Sequence, residues 1–180
     1  MFKPAVFALL LTFPVAAGAQ DRGSRTPAIE GFGTIHPAPG AAEPVSRSLR
    51  YRAVFNITAA PPAPGQVNPA LERVARFLNL LAEQGVRPRP GDIVAVVHGP
   101  ATTLVATDSA YAARTSTARN PNLPLIRRLR EAGVVVAVCS QALHRHALTR
   151  EQVSEDVRID LSAVTTLTNL QLRGYALIPD

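Results

Sequence analysis

The stretch GVVVAVCSQALHRHALT, residues 133–149, holds the chain's only cysteine. Cys139 closes a run of small apolar residues and stands directly before a segment that reads as a helix. In an open parallel α/β sheet, ligands bind at the carboxyl ends of the strands. The free amides at a helix amino terminus stabilise an anion such as a thiolate, whereas burial in an apolar strand favours the neutral thiol. Two roles therefore stand open for Cys139: a small buried hydrophobe, or a reactive thiol.

His98 and Gly99 end another apolar run, DIVAVVHG. The same edge of the sheet thus carries an imidazole, which either orients a ligand or thiolate or is satisfied by loop backbone. The candidate substrate-binding residues around Cys139 are His98, Gly99, Asn122, Ser140 and Gln141. Asn122 also stands where it would cap the helix LPLIRRLREA, which leads into the cysteine strand. His144 and His146 are two apart and point in nearly opposite directions on a helix. Zinc needs three or four converging ligands, so no metal site is expected. The chain has no Gly-x-Ser-x-Gly elbow and no Gly-rich phosphate loop. No cofactor is expected.

These residues must be positioned by alternating strands and helices. Strands are expected at 51–57, 92–99, 134–139, 157–161 and 175–179. Asn68-Pro69 supplies an N-cap and a proline at the first helical position. Leu71, Val74, Ala75, Leu78, Leu81 and Ala82 then recur at helical spacing up to Gly85. Asp108 opens a short helix, Thr149 and Gln152 form a capping box, and Ser162 caps AVTTLTNLQLR. In VVVAVC, Val134, Val136 and Val138 face one way; Val135, Ala137 and Cys139 face the other. Both sets are apolar, as in a central strand covered on both faces. The expected fold is a three-layer α/β/α domain with a mainly parallel sheet of about five strands.

The 180 residues suffice for one domain with a substantial core. Residues 1–19 have the layout of a secretory signal peptide: Lys3, a moderate apolar stretch, then Ala17-Gly18-Ala19. That stretch is short for a membrane span, so no stable membrane insertion is expected after processing. The mature protein is expected to be secreted, into the periplasm if the source is Gram-negative. Residues 20–50, rich in Gly, Pro, Ala and Ser, read as a flexible arm or linker, with His36 at its surface. The domain is expected over 51–180. Net charge is +6, carried by scattered arginines without interleaved aromatics, so no nucleic-acid partner is expected. Secreted proteins normally pair their cysteines, which makes a solitary one conspicuous.

The segments VVHGPATTLV, NPNLPLIRRLREAGVVVAVCSQAL, LSAVTTLTNLQLRGYALIP and LERVARFLNLLAEQGV resemble the DsrE/DsrF-like family, in its exported branch. The resemblance spans about residues 51–179. It implies a mainly parallel α/β/α fold and assembly into homo-oligomers, trimers or hexamers. It also implies a cysteine at the end of a central strand that carries sulfur as a persulfide and passes it to a partner, so that a sulfur donor or acceptor protein is the expected partner; Cys139 falls at that place. Ser140 departs from the pattern, where the exported branch leads one to expect Gly. The expected function is handling of sulfane sulfur through Cys139, as carrier or, if enzymatic, as a sulfurtransferase. The alternative is a non-catalytic module that binds a small ligand or protein, with Cys139 structural.

Overall fold

The computed structural model describes residues 28–180; the signal-peptide reading lies outside them. Five strands form one sheet: β1 (Ala53–Ile57), β2 (Ile93–Val97), β3 (Val135–Cys139), β4 (Arg158–Asp160) and β5 (Ala176–Ile178). Their order is β4-β3-β2-β1-β5, and every pairing is parallel. β2 is buried along its whole length, because it lies at the centre of the sheet with helices on both faces.

Helix α1 (Pro69–Glu83) follows β1, and α3 (Leu123–Glu131) precedes β3. Between them lie a 3-10 segment, Gly99–Val105, and the short helix α2 (Asp108–Ala112). α1 begins where expected: the Asn68 side chain accepts from the amides of Ala70 and Leu71, and Pro69 follows. It buries Leu71, Val74, Ala75, Leu78, Leu81 and Ala82. α3 buries Leu125, Ile126 and Leu129 and turns its arginines outward, two of them, Arg127 and Arg130, toward Asp156. These helices share one core with Phe55, Ile93, Val97, Val136 and Val138.

The return from β4 to β5 must cross the sheet, and α5 (Ala163–Leu172) makes it on the opposite face, touching β1, β2 and β5. This second core is smaller and contains Val54, Val94, Val96, Cys139, Ala142, Ala163 and Leu170. The alternation read in VVVAVC holds: Val136 and Val138 lie in the first core, Cys139 in the second.

Asp108 opens α2 as expected, and Thr107 before it supplies the cap, its hydroxyl accepting from the Ala110 amide. Two expected caps do not form. Ser162 and Asn122 stand at N-cap positions, yet neither side chain makes the capping bond. The capping box of Thr149 and Gln152 forms as expected, the Gln152 side chain accepting from the Thr149 amide at 3.1 Å. No described helix is long and apolar enough to cross a membrane.

The described part of the 20–50 segment is not wholly a free arm. Ile29 is buried in the first core. The Asn79 amide on α1 grips the segment: its Oδ1 accepts from the Ile29 amide at 2.8 Å, and its Nδ2 donates to the carbonyls of Ile29, Phe32 and Gly33. Gly33 has a positive φ of 62°, and a Cβ there would stand 2.3 Å from the Arg76 nitrogen. Only glycine lets the backbone approach α1 so closely. Sequence pattern misses this docking because one isoleucine and one glycine carry no period.

Replacing Asn79 with Leu removes this grip and strands buried carbonyls. The expected loss is roughly 2–4 kcal/mol, with proteolytic cleavage newly admitted in residues 28–33. An unchanged urea midpoint, with the segment still protected, would refute that account.

Candidate functional site

The carboxyl ends of β1, β2 and β3 lie side by side. Val97 pairs with Ile57 on one side and Val138 on the other. One step further along, Thr58, His98 and Cys139 stand level in a row. Cys139 pairs with Asp160 of β4, extending that row to the edge strand. Residues two apart share a face, so Asn56 and His98 follow Val54 and Val96 onto the face that carries Cys139. The sheet thus brings Asp160, Cys139, His98 and Asn56 together beneath the amino-terminal end of α5.

Cys139 is 5% exposed. It has extended backbone and occupies the N-cap position of α4 (Ser140–Arg145), without a capping bond from its sulfur. Ser140 and Gln141 flank it and tie down the loop that enters α5. The Ser140 hydroxyl donates to the Leu161 carbonyl at 2.7 Å, and the Gln141 amide reaches the same carbonyl at 3.4 Å. The glycine expected at 140 could make no such tie. Asp160 is occupied by a bidentate Arg158 and by the Thr166 hydroxyl.

His98 is half-buried. Its Nε2 lies 2.7 Å from Asn56 Oδ1. An amide oxygen only accepts, so Nε2 carries the proton and the neutral ring keeps its lone pair on Nδ1. Burial pushes the imidazole below its ordinary value; the Asp180 carboxylate opposes that shift. Gly99 follows with φ +56°. A Cβ there would find ordinary contacts, so the conformation rather than the space calls for glycine. The turn brings the Ala101 amide back to the Thr58 carbonyl at 2.9 Å, joining the ends of β1 and β2.

Asp180 sits at the end of β1. One of its carboxylate oxygens accepts from the Thr58 amide at 2.6 Å, the Thr58 hydroxyl at 2.7 Å and the Ala59 amide at 2.7 Å. Arg73 of α1 approaches the other oxygen at 3.9 Å. Burial pushes this carboxyl upward, but the hydrogen bonds from Thr58 and Ala59, helped by Arg73, prevail and hold it below the usual range.

The structure does not bring Asn122 to this row. It is fully buried on the α1–α3 side. Its Oδ1 accepts from the Asn68 amide, and its Nδ2 donates to Asn120 Oδ1. These bonds commit it to bracing the starts of α1 and α3 and leave it no surface for a substrate. His144 is exposed and apart from the row, and no cluster of three metal-ligating side chains forms among the described residues. A cleft of about 370 Å³, lined by Arg47, Arg50, Arg89 and Asp92 among others, opens at the opposite, amino-terminal edge of the sheet. It takes no part in the cysteine row.

Sequence reading missed Asn56, Thr58, Asp160 and Asp180. Asn56 left a trace as the one polar residue in AVFNI. Asp160 left another, in RID. Asp180 left none, because its contact with Thr58 spans 122 positions.

The solved structures that share this fold include a protein of unknown function, MTH1491, from Methanobacterium thermoautotrophicum. It is 23% identical, with a TM-score of 0.51; the likeness covers 72% of this chain and 99% of that one. The ychN protein from E. coli is 16% identical, with a TM-score of 0.52 and the same coverage. No curated protein matches the chain. The profile of the DsrE/DsrF-like family matches residues 52–179, the stretch that contains all five strands and the cysteine row; the chain belongs to the DsrE/DsrF-like family.

Proposed function

We propose that this protein is an exported carrier of sulfane sulfur that holds the sulfur on Cys139. The observation that carries the reading is the placement of the solitary thiol: at a strand end, level with His98, on the face they share. In the transfer, the Cys139 thiolate attacks the outer sulfur of a persulfide, R–S–SH. The donor's S–S bond breaks as the new one forms. The product is Cys139–S–SH, and RS⁻ departs with the electron pair of the broken bond. Delivery to an acceptor thiolate repeats the exchange, so one cysteine suffices. His98, neutral and with Nδ1 unprotonated, takes the proton of an incoming thiol or steadies the thiol as it ionises.

A second reading rests on the 5% exposure of Cys139 and its packing among Val54, Val94, Val96 and Ala142. On that reading the sulfur fills space, and the edge binds a ligand without covalent chemistry.

We also propose a homo-oligomer, a trimer or hexamer, assembled through the outer side of α5. Leu161, Val164 and Leu172 are 71%, 72% and 81% exposed, and the stretch from Leu161 to Leu172 carries no charge. Leu177, on the edge strand β5, is also exposed. Exposed apolar side chains along an uncharged segment of this kind mark an interaction surface. It adjoins the cysteine row, since the Leu161 carbonyl receives the Ser140 bond.

Intact mass after incubation with a persulfide donor should rise by one sulfur, and Cys139→Ser should abolish the gain. A thiol inert both to donors and to alkylation, with Cys139→Ala preserving ligand binding, would instead establish the space-filling role. Ser140→Gly should speed alkylation of Cys139 several-fold by releasing Leu161, about the effect of losing one hydrogen bond; an unchanged rate would show that the loop does not gate the thiol. In an NMR titration His98 should protonate below about 6.5, the ordinary histidine value. Asp180→Asn should lower that midpoint further, because the carboxylate favours the imidazolium; a rise would contradict the arrangement. Light scattering should give an oligomeric mass that falls to that of a monomer in Val164→Glu/Leu172→Glu. Persistence of the oligomer would move the interface elsewhere.

A further inference from the structure

Three donors at the end of β1 converge on one oxygen of Asp180: two consecutive backbone amides and a hydroxyl. Behind them stands Arg73, whose guanidinium is poorly used. It bonds the Pro179 carbonyl and meets the carboxylate only at 3.9 Å, and its buried Nε has no hydrogen-bond partner. Such convergence is a binding site for an anion. The segment that supplies the anion, Pro179–Asp180, is exposed, as are Ala176 and Leu177 before it. Ile178 packs against the first core, so the part that would move is Pro179–Asp180 alone.

This nest belongs to the cysteine row. Thr58 stands level with His98 and Cys139, two strands away from the thiol. Strands lie about 4.8 Å apart, so the backbone ends of β1 and β3 are separated by roughly 10 Å. That distance is about the reach of three extended residues. A ligand whose sulfur meets Cys139 can place a carboxylate in the nest if it has the size of a tripeptide; free cysteine is too short.

We propose that the Thr58 and Ala59 amides, with Arg73, form a carboxylate subsite of the sulfur site, which Asp180 occupies until the carboxylate of a peptide-sized thiol persulfide displaces it. The inference rests on the sulfur-carrier reading of Cys139 and adds the class of donor. The sulfur passes by the exchange written above; the subsite only positions the donor. Asp180 therefore competes with the donor.

The test compares the persulfides of glutathione and of its dimethyl ester, which differ in their carboxylates. Uptake is followed by intact mass in the wild type, Asp180→Ala and Asp180→Ala/Arg73→Gln. Opening the nest should raise the acid-to-ester rate ratio by roughly tenfold, the worth of one charge-assisted hydrogen bond. The added Arg73→Gln change should reverse the gain. In parallel, glutathione itself should shift the Thr58 and Ala59 amide resonances of Asp180→Ala, and the ester should not. Equal rates from both donors in every variant, with those amides unmoved, would overturn the subsite and leave the carrier reading standing. If neither persulfide charges Cys139, the carrier reading falls, and the subsite is then decided by the amide shifts alone: present, they support it; absent, they overturn it.

Discussion

Three buried asparagines hold the carboxyl edge of the sheet in shape. Asn68 caps α1 and donates to the Ala59 carbonyl; Asn122 accepts from the Asn68 amide; Asn120 links to Asn122 and donates to the carbonyls of Leu104 and Ala106. The loops after β1 and β2 would otherwise bury peptide groups without partners, at a cost of about 1–3 kcal/mol each. A side-chain amide both donates and accepts, so it can mend loops that no regular ladder reaches. The positions of Thr58, Ala59 and His98 follow from this mending. The geometry of the edge therefore depends on residues buried behind it.

The two faces of the sheet divide the work. The α1–α3 side has the larger core and the full complement of buried helix faces. The α5 side is thinner, and its helix covers the sheet with few buried residues, Ala163 and Leu170. Cys139, His98, Asn56 and Asp160 all lie on this lightly covered side. The same sparseness leaves α5 with apolar residues facing solvent.

Much of this was legible in the sequence. The five strands are where apolar runs end at turn residues, and the face of Cys139 follows from counting by twos along VVVAVC. The family match covers the stretch marked out by the quoted segments. The site was legible only in part. His98 and Cys139 announced themselves by ending apolar runs, and Ser140 and Gln141 by adjacency. Asn122 misled because its role as a brace is decided by Asn68 and Asn120, and a residue's burial is not written in its neighbours. Asp180 was invisible because the pairing of β5 with β1 brings the two ends of the domain together. The docking of Ile29 and Gly33 was hidden for the same reason: Asn79, which holds them, lies about fifty positions away.

The seat of Gly33 on α1 also carries the packing of the domain beyond its first strand. The five strands start at Ala53, and the family match at residue 52. A chain cut to that boundary would keep every strand and every helix among the described residues. It would nevertheless uncover the surface of α1 against which Ile29 packs, and it would leave the Asn79 amide facing solvent or neighbouring apolar groups with no carbonyl to bond. The packed unit therefore includes the segment from Ile29 to Gly33. Between the docked segment and Tyr51 the chain is held by side chains that reach back to the domain, Arg47 to the Gln84 carbonyl and Arg50 to Asp92, whereas position 33 has no room for a side chain at all, a contrast that a boundary drawn by secondary structure would leave out.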